Sequence, residues 1–252
     1  MIKFSELFLV GVSGIAVLIY SMFSFSDKVL VVTTQSHFDQ SKNHPPEVKI
    51  LSPETKSIHP LNSLIRYSVS VSDIEDGESK FDEIPGGRIL LEIEFVEGSA
   101  DAWDKRKSFN NQTVGLSLMI NSDCFTCHQF QNKLVGPSFQ EIANRYSKTA
   151  SGNKLVASIR KGSTGIWGEA VMPAHPDISP EEDEKIMDWI LNVGRNPNVN
   201  YKVGKEGSFR MEVPQGALAG FFVLKASYTD TGLKDQPKEN LSGGDVIIIR
   251  YK

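Results

Sequence analysis

The chain has 252 residues, room for one large domain or two modest ones. Hydrophobic side chains make up 40% of it, and with the 20 glycines the apolar share reaches about half, so a packed core is available and a wholly disordered chain is excluded. A formal net charge of −4 lacks the basic excess that phosphate backbones select, which argues against nucleic acid as a partner.

Residues 7–23 contain no charge; Lys3 precedes them and Asp27 and Lys28 follow. A membrane-spanning helix needs about 17–25 apolar residues, and a cleaved signal core about 7–15. The run predicts a single N-terminal membrane anchor over residues 1–26, with a cleaved signal as the alternative. Either one exports the remainder, so the functional domains are expected at the cell membrane, on its periplasmic or extracytoplasmic side. Residues 27–46 are polar apart from a short Val-Leu-Val-Val patch and end in His44-Pro45-Pro46, which reads as a stem.

Over residues 47–97 the period is two. Ile65, Tyr67, Val69 and Val71 share one face of a run at 64–72, and Leu91, Ile93 and Phe95 one face of a run at 89–96, as in half-buried strands. Residues 98–112 are polar and read as a linker. The period turns helical over 113–194, where Leu116, Met119 and Ile120 precede the two cysteines. Ser138 with Glu141 and Ser179 with Glu182 are capping-box pairs, the second with Pro180 at the first helical position. A helix is expected near 154–161, ending at Gly162, and a last one with Ile186, Trp189, Ile190 and Val193 buried, stopped by Gly194. After a linker at 195–206, strand patterns return at 207–252. Neither β half has core enough alone, so one β-sandwich interrupted by an inserted helical domain is favoured over two small β-modules.

The cysteines stand in Cys124-Phe125-Thr126-Cys127-His128. Two cysteines build no disulfide framework, but this spacing is the c-type haem attachment pattern. Thiols separated by two residues reach two vinyl groups of one porphyrin, and the histidine that follows is placed to bind iron. A thioredoxin-like dithiol would want a βαβ context, and a structural zinc site four ligands; neither is present.

Around that motif, residues 113–193 resemble the class I cytochrome c family: a helix into CFTCH, then Gly136-Pro137, then a glycine-rich stretch ending in Val171-Met172-Pro173, then an amphipathic helix. The resemblance implies one covalent haem c with His128 and Met172 as the two iron ligands. It implies that Pro137 packs beside the proximal histidine and that Trp167 lies near the haem propionates. His175 is the alternative sixth ligand; Met119 and Met187 fall in core patterns, and Met211 in a strand. With both axial positions filled, the expected function is single-electron transfer between redox-protein partners and not enzymatic catalysis.

Asp73-Ile74-Glu75-Asp76-Gly77-Glu78 follows a strand and reads as a solvated turn, with a calcium-binding turn as the alternative. Pro45-Pro46, this turn and residues 226–237 resemble immunoglobulin-like modules found beside cytochrome domains in exported bacterial sugar dehydrogenases. That resemblance implies a quinoprotein dehydrogenase as donor, on another chain. The expected fold class is therefore multidomain: an all-α class I cytochrome c domain between the halves of an all-β immunoglobulin-like sandwich, with an N-terminal membrane anchor. Two readings compete for function. One is a carbohydrate- or partner-binding sandwich with an accessory haem, although only Trp103 lies near the β part. The other is a haem-based sensor.

Overall fold

The structure, a computed structural model, describes residues 42–101, 103, 114–146, 152–233 and 240–252, and the backbone of 9–12, 15–18, 32–33, 102 and 148–151. The chain divides into two units, Met1–Lys42 and Asn43–Lys252. In the first, strands β1 (Leu9–Val12), β2 (Ile15–Leu18) and β3 (Val32–Thr33) form an antiparallel sheet in that order. Where the apolar run predicts a helical anchor, the described residues pair as strands, a state that β-branched Val and Ile favour. Among the described residues no helix is long and apolar enough to cross a membrane. The second unit opens at Asn43, so the end of the predicted stem belongs to it.

In the second unit, five strands precede the helices: β4 (Glu47–Ser52), β5 (Ile58–His59), β6 (Leu64–Asp73), β7 (Gly77–Glu78) and β8 (Leu90–Glu97). Four follow them: β9 (Val199–Val203), β10 (Glu206–Arg210), β11 (Gly220–Thr229) and β12 (Ser242–Tyr251). One sheet has the order β10-β6-β4, with β7 also on β6; the other has the order β5-β12-β11-β8-β9. Each sheet thus pairs strands from before and after the helices. Phe209 of β10 faces Ile65 of β6, and β8 runs antiparallel to both β11 and β9. Period-two burial decides which side chains meet between the sheets. Ile65, Tyr67, Val69 and Val71 of β6 pack with Leu91, Ile93 and Phe95 of β8 and with Phe222 and Leu224 of β11.

Several local expectations are corrected. The predicted linker at 195–206 holds all of β9 and the start of β10; three apolar residues alternating among Asn, Lys and Gly are too short a run to read as a strand. In the other predicted linker, residues 100–102 form a 3-10 turn, and Trp103 packs edge-on to Phe221 at 6.2 Å; 104–112 lie outside the described residues. The acidic turn after β6 is solvated only in part: Ile74 is exposed and residues 75–78 are half-buried, but its first residue is buried. Asp73 is 6% exposed, and its Oδ1 accepts the backbone N–H groups of Glu75 (2.9 Å) and Asp76 (2.7 Å).

The helices are α1 (Val114–Asn121), α2 (Cys124–Cys127), α3 (Phe139–Arg145), α4 (Lys148–Lys161) and α5 (Pro180–Val193). Both capping boxes form, at Ser138/Glu141 and Ser179/Glu182. The third expected helix, α4, starts earlier than its apolar period does, because Thr, Ser, Gly and Asn fill its first turns. Gly162 ends it with φ +75°, but Gly194 at the end of α5 is right-handed, φ −59°. Gly194 is small for another reason: a Cβ there would lie 2.7 Å from the Ala143 Cβ. Gly115 plays the same part where α1 crosses α5, since its Cβ would lie 2.3 Å from the Lys185 carbonyl oxygen.

The outward face of the second sheet is the floor of the helical block. Leu90, Val199 and Tyr201 share one apolar cluster with Met119, Phe130 and Trp189. The Tyr201 ring stands edge-on to Phe130 at 5.0 Å and to Trp189 at 5.4 Å. Its hydroxyl donates to Glu92 Oε2 (2.9 Å), and Lys225 Nζ reaches Glu92 (2.8 Å) and Glu94 (2.6 Å). Burial, and then the Glu92 charge, hold the Tyr201 phenol far above its ordinary pKa, so it stays a neutral donor.

Gly115→Ala is expected to lower stability by about 1–3 kcal/mol through overpacking at the helix crossing. The check is a urea titration followed by circular dichroism, where the midpoint should fall and the slope stay constant.

Candidate functional site

Helix α2 is a single turn. Asp123, left-handed at φ 55°, reverses the chain out of α1, and the Thr126 N–H donates to the Asp123 carbonyl (2.9 Å). Three positions apart on a helix, Cys124 and Cys127 share a face. Both thiols are free and half-buried. Burial pushes the Cys124 thiol up to about 11, with the nearby Asp123 and Cys127 adding to the rise. A redox dithiol or a thiolate ligand needs the opposite shift, so Cys124 is a protonated thiol.

His128 leaves the helix in extended conformation and is 8% exposed. Its Nδ1 lies 2.7 Å from the Pro137 carbonyl oxygen. A carbonyl only accepts, so Nδ1 carries the hydrogen and Nε2 keeps its lone pair. The segment that supplies this carbonyl is tied down, because the N–H groups of Val135 (3.1 Å) and Gly136 (2.9 Å) both donate to the Cys127 carbonyl. Gly136 lies flat on the imidazole: a Cβ there would come within 2.4 Å of His128 Cε1. On another side the Phe139 ring stacks at 5.5 Å. Burial lowers the His128 pKa, the Pro137 bond opposes this, and nearby His175 adds to the lowering. The imidazole is therefore neutral at pH 7, as a metal ligand must be.

The segment carrying Met172 is fixed by backbone bonds. Ser163 and Met172 exchange both N–H···O bonds (3.1 and 2.9 Å), and the His175 N–H donates to the Ile159 carbonyl (3.0 Å). Gly162 permits the close return, since a Cβ there would lie 2.6 Å from the Met172 carbonyl oxygen. Trp167 lies under the Arg145 guanidinium at 4.5 Å, and Arg145 Nη1 donates to the Ile166 carbonyl (3.0 Å).

These pieces enclose one largely apolar cleft of about 1300 Å³, including the part open to solvent. All six residues singled out by sequence, Cys124, Cys127, His128, Pro137, Trp167 and Met172, line it, and so does His175. Among the alternative methionines, Met119 also reaches the wall from α1, whereas Met187 and Met211 are buried in cores. The pattern singles out neither Phe139 nor Ser163, though the Gly136-Pro137 pair marks where the backbone meets the imidazole. Paired thiols, a neutral imidazole with its lone pair free, a thioether and an apolar slot fit a porphyrin with its iron.

Helices closed about a cleft furnished in this way define a haem-binding protein of the covalent type. The comparisons with known proteins agree: residues 113–194 match the family model of cytochrome c. The chain is 36% identical to cytochrome c-552 of Nitrosomonas europaea over 77 residues, 30% of this chain and 75% of that protein. It is 37% identical to cytochrome c-551 of Azotobacter vinelandii over 79 residues, 31% of this chain and 95% of that one. With cytochrome c2 of Rubrivivax gelatinosus the identity is 42% over 77 residues, covering 29% and 91%. The chain belongs to the cytochrome c family through this class I domain, and the family implies covalently bound haem c. Both sheets of the second unit lie outside the matched residues.

Gly136→Ala is expected to push the imidazole off the Pro137 carbonyl and cut the yield of haem-loaded protein severalfold. A pyridine haemochrome assay per mole of polypeptide measures that yield, and the apolar core distant from the cleft should still fold.

Proposed function

We propose that this chain is an electron carrier, not an enzyme, passing single electrons between exported redox proteins through one haem c. In this reading the haem is attached at Cys124 and Cys127 and its iron is held by His128 and Met172. The observation that carries the proposal is that Cys124, Cys127, Met172 and His128, whose Nδ1 is held on the Pro137 carbonyl, all line one apolar cleft. When bound, the haem supplies an iron that cycles between ferrous and ferric states. The chain's own residues set the terms of that cycle. Pro137 fixes the imidazole, the Ser163 pairing holds Met172 in place, and the apolar walls keep water from the metal. Val135 and Val171, exposed at 52% and 69% on the cleft wall, give a partner an apolar landing.

Export and membrane attachment rest on the uncharged run of residues 7–23. The domain order, strands β4–β8, then the cytochrome block at 113–194, then strands β9–β12, with an immunoglobulin-like sandwich around the cytochrome, is supported by the mixed strand pairing in both sheets. Through the sandwich's resemblance to modules of sugar dehydrogenases, a quinoprotein dehydrogenase is the donor class we favour.

Met172→Ala is expected to abolish the weak sulfur-to-iron absorption at the red end of the ferric spectrum. It should also lower the midpoint potential by an appreciable part of the roughly 0.8 V that axial ligation spans. Unchanged spectra would move the sixth ligand to His175. Carbon monoxide is expected to leave the reduced wild-type spectrum unchanged and to bind Met172→Ala; binding to wild type would favour a sensor or an enzyme.

A further inference from the structure

Met172 sits on an arm, residues 162–178, that leaves the end of α4 and returns to the start of α5. Most of the arm is exposed. It is held at a few points: the Ser163–Met172 exchange, the Arg145 bond to the Ile166 carbonyl, and the His175 N–H on the Ile159 carbonyl. A segment with so little buried surface opens locally at low cost unless its roots are fixed.

An ion pair joins the two roots. Arg160 Nε, in the last turn of α4, stands 3.3 Å from Asp183 Oδ2, in the first turn of α5. Asp183 is wholly buried, and neither of its oxygens has a hydrogen-bond partner among the described residues. Burial raises its carboxyl, the Arg160 charge lowers it, and neighbouring Glu182 raises it again. The helix start does not explain a buried acid here. Glu181 and Glu182 already present negative charge to that terminus from more exposed positions, Glu182 as the capping-box partner of Ser179. A carboxylate stripped of water and given no donor is costly, and Arg160 is the cation that answers it.

Both partners adjoin the cleft. Ile159, next to Arg160, and Ile186, one turn along α5 from Asp183, line its wall. Gly162, two residues beyond Arg160, lies against the Met172 carbonyl. Arg160 and Asp183 do not line the cleft themselves, so their effect passes through the arm.

We propose that Arg160 and Asp183 are positioning residues for the sixth iron ligand: their ion pair clamps both roots of the arm and keeps Met172 seated against outside ligands, a role that rests on Met172 being that ligand. Breaking the pair by removing Arg160 strands a buried charge. The arm can relieve it by swinging its root out to water, and that movement unseats Met172.

The test titrates the full-length, haem-loaded ferric protein with imidazole, which takes the sixth position only after Met172 has left. The apparent affinity therefore reports the fraction of open arm, and Arg160→Gln is expected to tighten it about tenfold or more. The sulfur-to-iron band should disappear at correspondingly lower imidazole. Asp183→Asn is expected to tighten binding severalfold, and Arg160→Lys, which keeps the charge, to stay near wild type. Gly115→Ala, which strains the same block at the α1–α5 crossing, controls for plain destabilisation and should leave the imidazole affinity unchanged. If Arg160→Gln does not load haem, Asp183→Asn decides, because Arg160, 39% exposed, then turns to water and no buried charge is stranded. Wild-type affinity in both variants, beside a Met172→Ala that loses the sulfur-to-iron band, overturns the clamp and spares the ligand assignment. Equal tightening by Gly115→Ala does the same. A Met172→Ala with an unchanged spectrum brings down the ligand assignment, and the clamp with it.

Discussion

The organisation of the second unit depends on the apolar contact that Val199 and Tyr201 make with Phe130 and Trp189. Chain connectivity forces the helical block to leave β8 and return beside it as β9. The contact turns that return into a shared core. Burying a large apolar side chain contributes about 1.5–3 kcal/mol, and an edge-on aromatic pair about 0.5–1.5 kcal/mol more. Several such contacts outweigh the cost of ordering a short return strand. The polar tip of Tyr201 then needs an acceptor, and Glu92 supplies one that Lys225 neutralises.

Within the helical block the same economy of small groups recurs. Gly115 lets α1 lie on α5, Gly136 lets the backbone lie on the imidazole, and Gly162 lets the Met172 segment return to α4. Each absent side chain brings backbone against a neighbour, and in two of the three cases that neighbour is a proposed iron ligand. The donor atoms are oriented by carbonyls and N–H groups of the main chain, which keep few rotamers. Such a frame would hold the two proposed ligands still, as the proposed electron-transfer role requires.

How much of this was legible in the sequence varied with the range of the determining interaction. CFTCH, the two capping boxes and the period-two runs at β6 and β8 are local signals, and the structure places them in a cleft, at helix starts and in a core. The strand β9 escaped because Val199, Tyr201 and Val203 gain their meaning from Phe130 and Trp189, not from their neighbours. Burial of Asp73 escaped because acidic composition reads as surface, while the loop that covers the turn lies about 150 residues away, where Thr231 and Tyr228 bind Asp76. Residues 7–23 were ambiguous in principle. A short apolar run of Val, Ile and Leu supports helix or strand, and periodicity cannot separate them.

Interleaved strands have a further consequence for anyone who would dissect the molecule. Cutting out the haem-binding segment as a free fragment would strip Phe130 and Trp189 of their cover and leave a greasy scar on its flank. The remaining shell would bare Leu90, Val199 and Tyr201, the apolar floor on which the helices rest. The helical block and the sheet beneath it therefore share one apolar core, although only the helical block matches the cytochrome c family.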